Sequence, residues 1–158
     1  MADMIKIRST TDSMVSLYDP MVPFRKSWNK RGAIVPVERE KAVQMYYNGY
    51  LERAIRSGLL AVDDKAFLYE VGLIADEKEA SPIFELTEAV MEKCIGTMPL
   101  WEFGKTLEKL SRSQISELAE YAIVNHDKLR MDRIDILTKA SGKNILKAIE
   151  LYRAAQED

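Results

Sequence analysis

The sequence has little cysteine, histidine, glycine or proline. Cys94 is its only cysteine and His126 its only histidine. A single cysteine excludes an intramolecular disulfide and fits a reducing compartment. Seven glycines and five prolines in 158 residues are too few for low-complexity sequence. A content of 47% hydrophobic and 30% charged residues instead predicts a globular fold with a packed core.

Long apolar runs and catalytic motifs are missing as well. No stretch approaches the ~18 apolar residues of a transmembrane helix, and the start, Met1 to Lys6, lacks the apolar core of a signal peptide. We therefore expect no membrane contact and a cytoplasmic protein, or a component of an assembly built in the cytoplasm. No Walker, HExxH or nucleophile-elbow pattern occurs, which predicts a non-enzymatic protein with no metal and no cofactor.

Charge is distributed unevenly along the chain. Residues 1 to 60 contain 10 Lys and Arg against 6 Asp and Glu, whereas residues 61 to 158 contain 13 against 19. The first part is thus net positive although the whole chain is net negative at −2. This asymmetry predicts that the N-terminal part contacts an anionic surface.

The most basic segment is Phe24-Arg25-Lys26-Ser27-Trp28-Asn29-Lys30-Arg31-Gly32, with four cations and two aromatic residues in nine positions. An extended conformation places Phe24, Lys26 and Trp28 on one face. Three interpretations stay open: a solvated strand face, a stacking platform for nucleic acid, or a docking site for an acidic protein. The candidate partner-binding residues are Arg25, Lys26, Lys30 and Arg31, together with Tyr46, Tyr47 and Tyr50 beside the Asn48-Gly49 turn.

Short strands are expected in the N-terminal part. Alternation and turn residues predict strands at Met14 to Tyr18, Val22 to Trp28 and Ala33 to Val35. A helix is expected to open at Pro36, a second one to end before Gly58, and an apolar run, residues 59 to 62, to return as a strand. Residues 1 to 62 are thus predicted to form an SH3-like or half-open sheet with a helical lid, with Trp28 buried against Ile34 and the first helix.

The remainder is predicted to be a charged connector, residues 63 to 86, followed by a helical bundle, residues 87 to 158. The predicted fold class is α+β. Ser111 and Gln114 match a capping box. Asp132 is expected to cap a helix, and the pair Asp63 and Asp64 is expected to form a turn or a helix cap. Cys94 and His126 have the positions of ordinary structural residues. The expected bundle core is Leu100, Phe103, Leu107, Leu118, Ile123, Leu137, Leu146 and Ile149.

The basic segment, together with Tyr46-Tyr47-Asn48-Gly49 and Ser57-Gly58-Leu59-Leu60, resembles small proteins encoded among the virion and morphogenesis genes of tailed bacteriophages and prophages. The stretch from Asp135 to Ile149 is similar to the helical tail of those proteins. The resemblance spans residues 5 to 62 and 100 to 153. It implies an assembly component of the particle and brings no catalytic residues.

Two functional hypotheses follow. The first is a structural or assembly protein of a tailed-phage particle, at the capsid, neck or tail, that docks to other proteins of the particle or to copies of itself. The alternative is a small nucleic-acid-binding regulator that uses Phe24, Arg25, Trp28, Lys30 and Arg31.

Overall fold

The computed structural model describes residues 3 to 157, and the chain divides into two compact units, Met1–Glu85 and Leu86–Asp158. In the described chain, five strands and three α-helices form the first unit. Five α-helices and two short 3-10 helices, His126–Lys128 and Met131–Arg133, form the second. The predicted α+β fold class, with small antiparallel sheets followed by helices, is confirmed.

Two antiparallel sheets make up the β part of the first unit. Strands β1 (Met4–Ser9), β4 (Ile34–Glu38) and β5 (Leu60–Val62) form a three-stranded sheet in the order β4-β1-β5. Strands β2 (Val15–Asp19) and β3 (Phe24–Trp28) form a separate hairpin. Of the two predicted forms, this arrangement is the open one, since the strands belong to two sheets and not to one closed barrel.

The central strand β1 was not predicted. Ile5 and Ile7 are buried and alternate with Lys6 and Arg8, which is the period-two pattern of a half-buried strand. The pattern covers only six residues, which is a weak local signal for a strand. β1 nevertheless pairs with both β4 and β5 and organises the sheet.

Pro36 does not open a helix, contrary to the prediction. It lies within β4 opposite Lys6, and helix α1 begins three residues later, at Arg39. Proline has no N–H to donate, so it is tolerated in a strand only at an edge, and β4 is an edge strand.

Helices α1 (Arg39–Tyr47), α2 (Tyr50–Arg56) and α3 (Lys65–Glu70) accompany the sheets. Gly49 joins α1 to α2 with φ 93°, a left-handed conformation that favours glycine. Asp64 caps α3 by accepting the N–H of Phe67 at 3.1 Å, as predicted. The shared core of these elements includes Ile7, Trp28, Val37, Met45, Leu51, Leu60, Phe67 and Leu68.

The segment predicted as a connector, residues 63 to 86, is largely part of the first unit. Phe67 and Leu68 on α3, and Val71, Leu73 and Ile74 after it, are all buried in its core. The first unit therefore extends to Glu85.

The same boundary removes the charge contrast between the two parts of the chain. Residues 1 to 85 contain 12 Lys and Arg against 13 Asp and Glu, and residues 86 to 158 contain 11 against 12. The acidic residues between positions 61 and 85 belong to the same unit as the basic ones before position 60. The excess of positive charge is thus local to the hairpin region and does not distinguish one unit from the other.

The second unit contains helices α4 (Glu88–Ile95), α5 (Leu100–Lys109), α6 (Arg112–Val124), α7 (Ile134–Ser141) and α8 (Ile145–Gln156). The capping box at the start of α6 is confirmed: Ser111 Oγ accepts the N–H of Gln114, and Gln114 Oε1 accepts the N–H of Ser111. Of the expected bundle core, Leu100 and Leu146 are exposed because they lie on the outer faces of α5 and α8; the buried members are Phe103, Leu107, Leu118, Ile123, Leu137 and Ile149.

Arg133 is the least expected core residue of this unit, since arginine is seldom fully buried. Its guanidinium donates to the carbonyl oxygen of Cys94 at 2.8 Å and to that of Met98, and lies 5.4 Å from the centroid of the Phe103 ring. Asp132, expected to cap a helix, instead accepts a hydrogen bond from Arg133 Nε at 3.3 Å.

Among residues 3 to 157 no helix is long and apolar enough to cross a membrane.

Candidate functional site

The β2–β3 hairpin positions the basic segment. Antiparallel pairing places Tyr18 opposite Arg25 and Ser16 opposite Ser27, so these four side chains share the outer face. The guanidinium carbon of Arg25 lies 4.6 Å from the centroid of the Tyr18 ring, within the range of a cation–π contact. Ser16 Oγ and Ser27 Oγ are 3.0 Å apart. The outer face of the hairpin is therefore an ordered polar surface with one exposed arginine.

Lys26 and Lys30 add two further exposed cations. Within residues 3 to 157, Arg25, Lys26 and Lys30 form no ion pair, although other arginines of this unit are paired with carboxylates. Residues 13 to 37 contain a single acid, Asp19, and its side chain is buried. Lys26 lies on the opposite face of β3 from Arg25, so the three cations make the hairpin region as a whole positive without internal compensation.

Arg31, the fourth predicted cation, is held by the protein itself. Its Nη1 donates to the carbonyl oxygen of Thr10 at 2.5 Å, and its Nε lies 3.4 Å from Asp12 Oδ1. These contacts tie the turn after β3 to the end of β1. Arg31 is thus a residue that stabilises the turn and is a poor candidate for partner binding.

Trp28 is fully buried, as predicted, and its indole N–H donates to the carbonyl oxygen of Ile7 at 2.9 Å. The expected packing against Ile34 is wrong, because Ile34 lies on the opposite face of β4 from the buried Val37 and is 54% exposed. Phe24 is half-buried. A ring that is buried cannot stack on a base, so Trp28 is not available to nucleic acid.

The three predicted tyrosines differ in exposure. Tyr46 is 3% exposed and packs edge-to-face on Phe67 and on Tyr47, so it belongs to the core and not to a docking surface. Tyr47 is 66% exposed and its hydroxyl donates to the carbonyl oxygen of Glu70 at 3.3 Å. Tyr50 is 37% exposed. Helix α1 therefore divides its two adjacent tyrosines between interior and surface.

Asp19, which had no role in the prediction beyond a turn, connects the hairpin to the α1–α2 turn. Its two carboxylate oxygens accept the N–H of Met21 and the side-chain amide of Asn48, each at 2.9 Å. This contact brings the exposed Met21 of the hairpin turn to the part of the chain that presents Tyr47 and Tyr50. The Asp19-Pro20 sequence was the available signal, but it did not reveal the partner.

A second set of charges is internally compensated. Arg8 makes two hydrogen bonds to Asp63, at 2.7 and 3.0 Å, and a third to Glu85. The hydrogen bond from Arg8 lowers the pKa of Asp63, and those same carboxylates raise the pKa of Arg8. Arg39 likewise binds Asp3 and Asp64, and its pKa is raised by the hydrogen bond to Asp3. These two arginines are therefore paired within the first unit and are not available to a partner.

Cys94 and His126 occupy structural positions. Burial raises the pKa of the Cys94 thiol to about 11, which keeps it protonated and unreactive near neutral pH. His126 Nδ1 lies 3.0 Å from the carbonyl oxygen of Ile123 at the end of α6, where a cation is favourable. Within the described chain no three His, Cys, Asp or Glu residues are grouped to hold a metal ion.

Comparison of the chain with protein-family models, with curated proteins and with solved structures found no match. The function proposed below therefore rests on the geometry of the hairpin surface and on the sequence resemblance described above.

Proposed function

We propose that the protein is a non-enzymatic structural or assembly component of a tailed-phage particle that docks onto an acidic surface of another protein. The observation that carries the docking function is the trio Arg25, Lys26 and Lys30, exposed on one hairpin without carboxylate partners in the described chain. Uncompensated surface charge contributes little to folding but steers association with a complementary partner. The assignment to a particle rests on the sequence resemblance.

Exposed aromatic side chains extend the proposed surface. Tyr18 makes the cation–π contact with Arg25. Tyr47 and Tyr50 flank the α1–α2 turn, which the hydrogen bond from Asn48 to Asp19 connects to the hairpin. Tyrosine and arginine are the residue types that most often dominate the binding energy of protein interfaces. The proposed docking surface thus comprises Arg25, Lys26, Lys30, Tyr18, Tyr47 and Tyr50, without the buried Tyr46 and the internally bonded Arg31.

Co-purification tests the particle assignment. The protein is tagged in cells that produce the phage or carry the prophage, particles are banded on a density gradient, and the bands are assayed by mass spectrometry. We expect the protein in the particle band at a constant ratio to the major capsid protein. Recovery in the soluble fraction alone would contradict a role in the particle.

Charge reversal tests the docking surface. Arg25→Glu, Lys26→Glu and Lys30→Glu combined should abolish incorporation into particles while leaving the circular dichroism spectrum unchanged. The matched control is Lys139→Glu, Lys147→Glu and Arg153→Glu, three exposed cations of the second unit that give the same change in net charge. Equal incorporation of both triple variants would exclude the hairpin as the docking site.

Nucleic-acid binding is the alternative outcome. Gel shifts with single-stranded DNA, double-stranded DNA and RNA at low salt distinguish it, because phosphate contacts weaken steeply as salt rises. We expect no shift at micromolar protein. A salt-sensitive shift that the hairpin triple variant loses and the control keeps would replace the docking proposal by a nucleic-acid function.

A further inference from the structure

The outer face of the three-stranded sheet carries exposed apolar side chains among charged ones. Antiparallel sheets with one open face normally present polar side chains to water. Here strand β1 presents Met4, Lys6 and Arg8, and β4 presents Ile34, Pro36 and Glu38. Met4 lies opposite Glu38, Lys6 opposite Pro36 and Arg8 opposite Ile34. Met4 and Ile34 are 48% and 54% exposed. Neither side chain belongs to the core of the unit, so core packing does not explain why large apolar residues occupy these positions.

A depression lies on this face. It has a volume of about 300 Å³ and is lined by Met4, Lys6, Arg8, Ile34, Asp63 and Asp64. This is the lower end of the size range of ligand sites in proteins, about 300–1,000 Å³. It is large enough to receive one or two side chains of a partner.

The charges around the depression identify what fits. Arg8 is bonded to Asp63, and Asp64 is bonded to Arg39 and to the first turn of α3. Within residues 3 to 157, Lys6 is the one charged residue lining the depression that has no ion pair or side-chain hydrogen bond. An occupant therefore gains most by bringing an apolar side chain to Met4 and Ile34 and a carboxylate to Lys6.

We propose that this depression binds a peptide segment of a partner protein in which an apolar residue lies next to an acidic one. Nucleic acid does not match it, because the exposed side chains of Met4 and Ile34 offer no hydrogen bond to a base or a phosphate. The site is separate from the basic hairpin surface and does not depend on the particle assignment.

Amide chemical shifts of the isotopically labelled full-length protein test the proposal. Three blocked tetrapeptides serve as probes: alternating leucine and aspartate, alternating leucine and lysine, and alternating serine and aspartate. We expect the leucine–aspartate peptide to shift the amides of Met4, Lys6 and Ile34 in a saturable manner. The other two peptides should produce smaller shifts, because each lacks one of the two required contacts.

Two surface variants complete the test. Lys6→Glu should weaken binding of the leucine–aspartate peptide by about fivefold, the upper range for an exposed ion pair, and Ile34→Ser should weaken it as well. Lys139→Glu on the second unit is the control and should leave it unchanged. Because these side chains are exposed, the variants should fold.

Several results would overturn the proposal. Equal binding of the lysine peptide would refute the charge match, and equal binding of the serine peptide would refute the apolar one. Absence of any shift would exclude the site. Shifts of the same amides with protein concentration alone, or with an oligonucleotide, would assign the face to self-association or to nucleic acid instead.

Discussion

The side-chain amide of Asn48 donates to a carboxylate oxygen of Asp19 at 2.9 Å, and this contact joins the hairpin turn to the turn between α1 and α2. Asp19 is fully buried and its other oxygen accepts the N–H of Met21. A buried carboxylate needs such partners, because water no longer solvates it. The contact therefore fixes the position of the hairpin that carries the proposed docking cations.

Asn48→Ala removes the amide and leaves Asp19 Oδ2 without this partner. We expect the free energy of unfolding to fall by about 1–3 kcal/mol, the usual cost of an unsatisfied buried polar group. Urea denaturation followed by circular dichroism measures the change. Gln44→Ala, an exposed amide on the same helix, is the control and should change stability by less than about 0.5 kcal/mol. Equal effects of the two substitutions would argue against the Asp19 contact.

The two tryptophans form a matched pair of opposite environment. Trp28 is fully buried and hydrogen-bonded, whereas Trp101 is 67% exposed. Lys105 Nζ lies 5.5 Å from the centroid of the Trp101 ring. Trp28→Ala should reduce the free energy of unfolding by about 3–5 kcal/mol, and Trp101→Ala by at most about 1 kcal/mol.

Fluorescence gives an independent check of this pair. The Trp101→Ala variant retains Trp28 and should emit at shorter wavelength than the Trp28→Ala variant, because a buried indole is shielded from water. A Trp28→Ala protein with unchanged stability but lost partner binding would instead make Trp28 an exposed anchor.

Local patterns in the sequence were sufficient to predict much of the fold. Each correctly predicted element depends on residues that are neighbours in the sequence. These elements are the hairpin strands, the return strand before Asp63 and the capping box of Ser111. Trp28 was predicted to be buried because alternation fixed its face. The strand β1 was missed because six residues carry little periodicity. Its importance comes from pairing with residues 26 to 34 and 51 to 55 positions away, which no local pattern records.

The residue types of the candidate site could be predicted from the sequence, but not which of those residues are exposed at the surface. The sequence identified the cations, but only the packing shows that Arg31 is bonded to Thr10 and that Tyr46 faces Phe67. Adjacent tyrosines on a helix point about 100° apart, so one of them was bound to differ in burial. Which one is buried depends on where α3 packs, and that is a tertiary property.

Arg133 provides a third prediction, in the second unit. Its guanidinium satisfies the carbonyl oxygens of Cys94 and Met98 near the end of α4. Arg133→Met should leave both carbonyls unpaired, at a cost of about 1–3 kcal/mol each. Arg130→Met, an exposed arginine three residues earlier, is the control and should have little effect on the urea midpoint. If both variants unfold at the same urea concentration, Arg133 contributes no net stability.

The last prediction concerns an exposed segment near the end of the first unit. Residues 75 to 82 are exposed and contain neither helix nor strand, and exposed backbone of this kind is where proteases cut first. Lys78 is the only lysine or arginine between Lys65 and Lys93. Brief digestion with trypsin should therefore cut after Lys78 and release a C-terminal fragment that begins at Glu79.

That fragment contains all five α-helices of the second unit, whose core is formed by its own residues, including Phe103, Leu118 and Leu137. We expect it to keep its helical circular dichroism signal and to unfold cooperatively on heating. Lys78→Gln, which removes the cleavage point, should make the chain resistant under the same conditions. If cleavage at Lys78 instead abolishes the helical signal, the second unit depends on the first for its stability, and the chain folds as one cooperative domain.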